Sequence, residues 1–244
     1  MSKLTWNKIG ENFYETGIAR VVLYPMDDNG DYQKGVAWNG VTLINEVPSG
    51  GEVQPLYNDG VIHANYISLE EYQSTLEAFT YPEEFSLCDG IFEPSPGVIL
   101  SQQSRKSFGL AYSTILGNDL RKEDHGYKLH LVYGALASPS ERSYQSINDS
   151  ASSVAFSWNI TTIAIEIPNF MPIASLVIDS TKANSNGLAS LEQILYGISG
   201  RLAEPHLPLP DEVLRIFAYR GAPSINRFIR FRVGYTAIGE GAIS

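Results

Sequence analysis

Three segments between residues 106 and 167 decide the fold: KSFGLAYSTIL (106–116), GYKLHLVYGALAS (126–138) and VAFSWNITTIAIEI (154–167). All three are rich in β-branched and aromatic residues, the composition that favours strands. The polar connections between them, LGNDLRKEDH (116–125) and PSERSYQSINDSASS (139–153), contain no catalytic signature. This pattern predicts a chain selected for sheet and surface rather than for a reaction centre.

Other segments extend the prediction to a whole domain. Strands are predicted at 18–25, 36–47 with a bend at Gly40, 61–69, 72–82, 175–180 and 227–238. Leucines at three- and four-residue spacing predict one helix over about 186–198, started by Ser185 or Asn186 and ended by Gly197 or Gly200. We therefore expect one domain over 1–244, a mainly β antiparallel sandwich with one flanking helix.

Two extended segments interrupt this pattern. Residues 1–17 are polar with spaced aromatic residues and predict an arm that lies on a surface. The stretch PSGGEVQPLYNDG (48–60) is rich in Pro and Gly and longer than a common hairpin connection. Long ordered loops are often functional, so 48–60 is predicted to be a contact loop.

Composition limits the functional classes. The chain has 244 residues, 43% hydrophobic residues and a net charge of −10, and its first half carries most of the acidic excess. A groove that grips nucleic acid is not expected, because phosphate binding needs clustered Lys and Arg. A single cysteine excludes a disulfide within the chain, and no apolar run is long enough to cross a membrane. The polar start of the chain lacks an apolar signal core, which favours folding in a reducing cytoplasm.

The candidate chemical motifs are weak. In DDNGD (27–31), Asp27, Asn29 and Asp31 match the start of a calcium loop, but Tyr32 and Trp38 replace the required Gly and Glu. The acidic pairs Glu70–Glu71 and Glu83–Glu84 are sequence neighbours, which do not share a strand face. The cysteine, Cys88, and four scattered histidines are predicted to have packing or surface roles: His63, His125, His130 and His206. No catalytic residue, metal site or cofactor is expected, and the chain is not expected to be an enzyme.

Longer strings carry a family resemblance. RKSFGLAYSTILGND (105–119), DHGYKLHLVYGALASPSERSYQSINDS (124–150) and FSW (156–158) resemble the major tail protein of long-tailed, siphophage-type bacteriophages. GVAWNGVTLINE (35–46), YQSTLEAFTYPEEFSLCDG (72–90), SLVIDSTKA (175–183), LASLEQILYG (188–197) and LPLPDEV (207–213) continue it. The resemblance covers about 38–213 and lies in the length and order of the strings.

The resemblance implies a fold and a role. Members form hexameric rings that stack into a tail tube, which encloses the tape-measure protein and conducts DNA during ejection. The subunit is a two-sheet sandwich whose inner strands close a continuous barrel around the ring. The implied partners are other copies of the chain, the tape-measure protein, the tail terminator, distal tail or baseplate proteins, and DNA that passes without specific binding. The implied location is the virion, after assembly in the host cytoplasm.

Three sets of residues are predicted to serve such a tube. The first makes the contact between rings: Pro48, Gly50, Gly51, Glu52, Gln54, Pro55, Tyr57 and Asn58. The second faces the lumen and repels DNA: Asp59, Glu70, Glu71 and Glu77. The third forms ion pairs between subunits: Arg105, Lys106, Arg121 and Lys122.

Other functional classes stay open at this point. A carbohydrate-binding β-sandwich would stack sugars on exposed aromatic residues such as Trp38, Tyr57 and Tyr66. A hydrolase on a jelly roll would need a concave acidic cleft, which the sequence does not indicate. A tail terminator or a capsid decoration protein would be a related virion protein. Oligomeric state separates the first of these from a tube protein, which should form rings or polymers.

Overall fold

A computed structural model of the chain describes residues 4–139, 155–198 and 204–217. Within these ranges the protein is mainly β, with antiparallel pairing and two helices. The strands are β1 Phe13–Pro25, β2 Val36–Ala37, β3 Val41–Glu46, β4 Val53–Asn58, β5 Val61–Ile67, β6 Gln73–Ala78, β7 Phe92–Ser95, β8 Val98–Leu100, β9 Phe108–Asn118, β10 Lys122–Pro139, β11 Phe156–Thr162 and β12 Ser175–Asp179. The helices are α1 Ser185–Tyr196 and α2 Pro210–Ile216.

The main sheet forks along its longest strand. Its order is β2-β1-β9-β10-β11-β6-β3, and β12 pairs with the first part of β10. Residues Lys128–Val132 of β10 pair with β12, whereas Ala135–Pro139 pair with β11. Gly134 lies between the two segments with φ at 58°, a conformation that favours glycine. The fork lets one strand belong to two differently directed parts of the sheet.

Each face of the sheet has its own core. In the part formed with β11, β6 and β3, the sheet curls over an aromatic cluster that includes Trp38, Phe85 and Trp158. The Trp38 and Phe85 rings lie 4.4 Å apart between centroids. The opposite face packs Leu129, Leu131 and Tyr133 against the helices. Burial on both faces of β9 and β10 explains their near-continuous apolar sequence, and the result is sandwich-like.

Several local predictions are confirmed. Ser74, Leu76 and Ala78 of β6 are buried and alternate with half-buried residues, as the period of two predicts. The sequence also predicts a short helical turn near residues 83–89, and a 3₁₀ turn, Glu83–Phe85, lies there. Helix α1 buries the predicted leucine stripe, Leu188, Leu191 and Leu195, and ends at Gly197. Its cap is Asn184, one residue before the predicted start, because the Asn184 side chain accepts a hydrogen bond from the Asn186 amide at 2.9 Å.

The prediction that residues 48–60 form a loop is wrong, because part of this stretch is a strand. Residues 53–58 form β4, which pairs with β5 in a separate two-stranded hairpin. Asp59 and Gly60 connect the strands with φ values of 49° and 79°. A two-residue turn with both φ values positive is the type I′ turn that Asp-Gly favours, so a local signal was present in the sequence.

Other boundaries also need correction. The predicted N-terminal arm, 1–17, overlaps β1, which begins at Phe13. The strand predicted over 36–47 is instead two strands, which are separated at Gly40 and pair with different neighbours. The connection 116–125 is mostly strand, because β9 and β10 extend into it. A second helix, α2, adds to the one predicted. The predicted strand 227–238 and most of the connection 139–153 lie outside the described residues. In the described part of the chain, no helix has the length and apolar character needed to span a membrane.

Candidate assembly surfaces

One part of the sheet ends in two strands whose outer edges pair with no described strand, and we call this part the wing. It consists of the first half of β1, the second half of β9, the first half of β10, and β12. The registers Glu15↔Leu116, Leu116↔Gly126 and His130↔Val177 align these strands in that order. Among the described strands, none pairs with the outer edge of Phe13–Thr16 or of β12. Unpaired backbone edges are templates for pairing with another chain, so the wing offers two such edges on opposite sides.

The two faces of the wing differ in how far the rest of the protein buries them. Leu129, Leu131 and Ile178 face the helices and are buried. Residues of the opposite face include Lys128, His130 and Val177, since directly paired residues share a face. Val177 is 50% exposed, and Glu15 forms an ion pair with Lys128 on the same side. The second face of the wing is therefore polar and partly open.

A second uncovered feature is the β4–β5 hairpin, which we call the arm. Every residue from 53 to 67 is exposed. Val53 pairs with Ile67, and Tyr57 pairs with Ile62, so these apolar side chains share one face; Val53, Tyr57 and Ile67 are 58%, 61% and 71% exposed. An isolated two-stranded hairpin is marginally stable in water, and an apolar face of this kind usually marks an interaction surface.

The predicted ring-contact residues all belong to the arm or its first connection. Pro48, Gly50, Gly51 and Glu52 precede β4, and Gln54, Pro55, Tyr57 and Asn58 lie in it. Gln54 and Tyr57 lie on opposite faces of the hairpin, because they are three positions apart on one strand. One neighbouring surface cannot cover all of these side chains at once. Their role in ring contact stays a prediction.

The predicted lumen-facing acids are not brought together. Asp59 lies at the tip of the arm, and Glu70 and Glu71 lie at its base, about 20 Å away along six strand residues. Glu77 lies on β6 in the main sheet, opposite Ser157 and Leu43. These four residues do not form one acidic surface on the subunit. Whether any of them faces a lumen stays a prediction.

The predicted subunit ion pairs involve two pairs of basic residues in different settings. Arg105 donates from Nη1 to the Ala137 carbonyl at 2.8 Å, and Lys106 Nζ lies 2.9 Å from Asp28 Oδ1. Arg121 and Lys122 are exposed at the β9–β10 turn, where no acidic partner within the described ranges contacts them. The turn residues are therefore better placed for another subunit than Arg105, which already bonds within its own chain.

Sequence reasoning missed a polar cluster beneath the open face of the wing. His130 is 7% exposed and stacks on Tyr112 with ring centroids 4.6 Å apart. His130 Nε2 lies 3.0 Å from Thr114 Oγ1 and 3.4 Å from Glu15 Oε1. His130 Nδ1 lies 3.8 Å from Glu46 Oε1. The strand register that joins these residues is long-range, and no local motif signals it.

Tyrosine hydroxyls complete the cluster around Glu46. Tyr112 donates to Glu46 Oε1 at 2.5 Å, and Tyr72 donates to the same oxygen at 3.4 Å. Burial raises the pKa of Tyr72 to about 12. Burial also raises the pKa of Tyr112, and the nearby Tyr72 and Glu46 add to this effect. Both phenols are therefore protonated donors at neutral pH.

Glu15 and His130 both have a lowered pKa, but the consequence for their charge is opposite. Burial alone would raise the pKa of Glu15, but hydrogen bonds from Lys128 and Thr114 outweigh it and hold that pKa below its ordinary value. Burial lowers the pKa of His130, and the charges of Glu46 and Glu15 offset this effect only in part. Glu15 is thus charged and His130 neutral at pH 7. No reaction follows from this arrangement alone.

The remaining candidate motifs have structural explanations. The Asp27 carboxylate accepts hydrogen bonds from the Asn29 and Asp31 amides at 2.9 and 3.0 Å, as in an Asx turn. No group of acidic, histidine or cysteine side chains in the described residues is arranged to hold a metal. Cys88 is buried, and burial raises its thiol pKa to about 12, which disfavours a reactive thiolate.

The sugar-stacking role suggested for Trp38 is wrong. Trp38 is 3% exposed and donates its indole N–H to the Thr80 carbonyl at 2.8 Å inside the aromatic core. Tyr57 and Tyr66 are exposed, but their pairing partners, Ile62 and Gln54, place them on opposite faces of the arm. The three aromatic side chains do not form one platform.

Comparison with known proteins gives weak similarity. No protein-family model matches the chain, and no curated protein matches it. One solved structure, the baseplate of the anti-feeding prophage, is similar with a TM-score of 0.30 and 10% identity, over 73% of this chain and 99% of that one. The sheath–tube complex of an extracellular contractile injection system is similar with a TM-score of 0.28 and 15% identity, over 66% of this chain and 88% of that one. Likenesses of this size do not assign the chain to a family.

Proposed function

We propose that the chain is the structural subunit of the tail tube of a long-tailed bacteriophage. In this proposal six copies form a ring, and rings stack into a tube. The tube encloses the tape-measure protein and then conducts DNA. The subunit has no catalytic role, and its other partners are the terminator and baseplate proteins at the tube ends.

The observation that carries the proposal is that no described strand pairs with either outer edge of the wing. In a ring, the β1 edge of one subunit would meet the β12 edge of the next, which is a head-to-tail contact that closes by rotation. Closure would pair every strand of the wing and remove its edges. A single subunit that functioned alone would leave both edges open to uncontrolled association.

The arm supports the stacking of rings. No described residue covers its apolar face, and its length of about 20 Å suits contact with an adjacent ring. Docking of Val53, Tyr57 and Ile67 against a neighbour would bury side chains that are now more than half exposed. The net charge of −10 suits a conduit that does not grip phosphates, although acidity alone is common.

Engineered disulfides test the ring contact. Phe13→Cys and Val177→Cys in one chain place thiols on the two wing edges and on the same face of the sheet, while the native Cys88 is buried. Mild oxidation should give a ladder of linked subunits that ends at six on a non-reducing gel. The matched control combines Phe13→Cys with Met171→Cys, whose side chain is 68% exposed and lies before β12 rather than in an edge strand. Equal ladders from both variants would refute edge-to-edge closure.

Substitution of the arm face tests stacking. The triple variant Val53→Ser, Tyr57→Ser, Ile67→Ser should keep the circular dichroism and melting temperature of the subunit but form no tubes by negative-stain electron microscopy. Met171→Ser removes an equally exposed apolar side chain elsewhere and should leave tubes intact. Normal tubes from the triple variant would show that the arm does not make the stacking contact.

Related virion roles differ in the expected assembly. A tail terminator or decoration protein would form a ring or a monomer that does not polymerise. A carbohydrate-binding module would bind glycans as a small oligomer, and the burial of Trp38 argues against this class. Electron microscopy of the purified chain, with a glycan-binding assay in parallel, separates the three roles.

A further inference from the structure

The root of the arm is fastened to the wing by the buried polar cluster. β3 ends at Glu46, and residues 47–52 lead into the arm; residues 68–71 lead back from it to Tyr72, just before β6. We call these two connections the root of the arm, and Glu46 and Tyr72 lie where the root joins the body. Tyr112 of β9 and His130 of β10 contact Glu46 directly, so the wing and the arm meet through these side chains.

In the closed cluster, a second proton on His130 would have no acceptor within hydrogen-bond distance. Nε2 faces the Thr114 hydroxyl, which itself donates to Glu15, so the neutral ring carries its proton on Nε2. Nδ1 has no hydrogen-bond partner, and Glu46 at 3.8 Å is too distant to accept one. Glu46 already accepts from two tyrosines, and Glu15 already pairs with Lys128, whose positive charge repels an imidazolium. Water can reach a charged His130 ring only if the side chains that bury it move aside.

We propose that this cluster is an acid-sensitive latch at the root of the arm: a proton taken up from solvent on His130 Nδ1 opens the contacts that hold Glu46 and Tyr72 to the wing. The groups that face the ring are Glu15 from β1, Glu46 from β3, Tyr72 before β6, Tyr112 from β9 and Lys128 from β10. At neutral pH they hold the ring neutral and the root closed. Below the ordinary histidine range the open root binds the proton more tightly than the closed root. The latch depends only on contacts within the subunit, whatever the arm docks against.

Linkage gives the sign and the size of the effect. The lowered pKa of His130 means that the open state binds more protons than the closed state between that pKa and the ordinary value of 6.5. Opening therefore becomes easier as the pH falls, by up to about tenfold per pH unit in this window. The opening equilibrium should become flat only about one pH unit above 6.5, where both states leave the ring neutral.

Amide hydrogen exchange on the unassembled subunit tests the latch between pH 5 and 7.5. The Val47 and Ser49 amides report on the root, because they donate to the Gln73 and Glu71 carbonyls at 2.7 and 2.9 Å. Their protection, corrected for intrinsic exchange, should fall with acid, while that of Leu188 in α1 should not. His130→Gln should remove the response, and His63→Gln, on the exposed arm, should keep it.

Two results would overturn the latch. One is a His130 ring that titrates by NMR at or above 6.5 while the root amides stay protected. The other is an unchanged acid response in His130→Gln. Should that variant fail to fold, the NMR titration of the wild-type ring decides alone. None of these measurements uses tubes, so a chain that never forms rings could still have the latch, and the reverse also holds.

Discussion

The fork at Gly134 makes the sharpest stability prediction, because it separates the wing from the closed part of the sandwich. Gly134 has a φ of 58°, and an added Cβ would lie 2.4 Å from the Ile163 carbonyl oxygen. The Gly134 carbonyl accepts a hydrogen bond from the Ile163 amide at 3.0 Å, and the Gly134 amide donates one to Tyr32 Oη at 2.9 Å. Gly134→Ala therefore perturbs both the local conformation and the cross-strand contact.

The expected cost has two parts. A left-handed conformation costs an alanine about 1–2 kcal/mol. Backbone displacement to clear the carbonyl adds about 1–3 kcal/mol, as in other overpacked sites. We expect Gly134→Ala to lower the free energy of unfolding by about 2–5 kcal/mol. Gly97→Ala is the matched control, since Gly97 has a φ of 80° and no atom within 4 Å of its added Cβ. It should cost only about 1–2 kcal/mol.

Urea unfolding of both variants, followed by tryptophan fluorescence, measures the difference. Trp38 and Trp158 are buried in the closed core, so their emission reports on its unfolding. At about 2–4 °C per kcal/mol for a chain of this size, the melting temperatures should differ by several degrees. Free energies of unfolding that agree within about 0.5 kcal/mol would refute the steric account of the fork.

Three further predictions concern single side chains. Cys88 should react with a thiol reagent at pH 8 far more slowly than in urea, because a pKa of about 12 against an ordinary 9.0 leaves on the order of a thousandfold less thiolate; equal rates would contradict its burial. Asn184→Ala should cost about 1 kcal/mol in urea unfolding through loss of the α1 cap, and no change would argue against that cap. The Glu15 contribution to stability is present above pH 4.5 and is lost as the pH falls through its lowered folded-state value, so Glu15→Gln should flatten that part of the stability–pH curve.

Local sequence patterns identified the elements that depend on near neighbours. The alternation in β6 predicted that Ser74, Leu76 and Ala78 share one face, and the leucine stripe of α1 predicted the face that packs against the sheet, because a strand and a helix each repeat over a few residues. The I′ turn at Asp59 and Gly60 was equally local, and the Asp-Gly pair could have shown that 48–60 is half of a hairpin. The Pro and Gly residues before it suggested a loop instead.

Long-range contacts decided the candidate site. Glu15 and His130 are 115 positions apart, and Glu46 approaches them only because the sheet curls and its strands take one register. A shift of one residue in that register would move each side chain to the other face, so no periodicity could place them. The same reason explains why the four predicted lumen acids are scattered over the arm and β6.

By itself, the sequence determined a mainly β chain with a helix, a sheet core and no reaction-centre motif, because strand and helix periods are local properties. The tertiary structure alone decided that β10 forks at Gly134 and that, among the described residues, two edges of the wing stay unpaired and the arm stays uncovered. These features depend on which strand lies beside which, and pairing over long sequence distances is selected by the burial of the whole sheet rather than by any single segment.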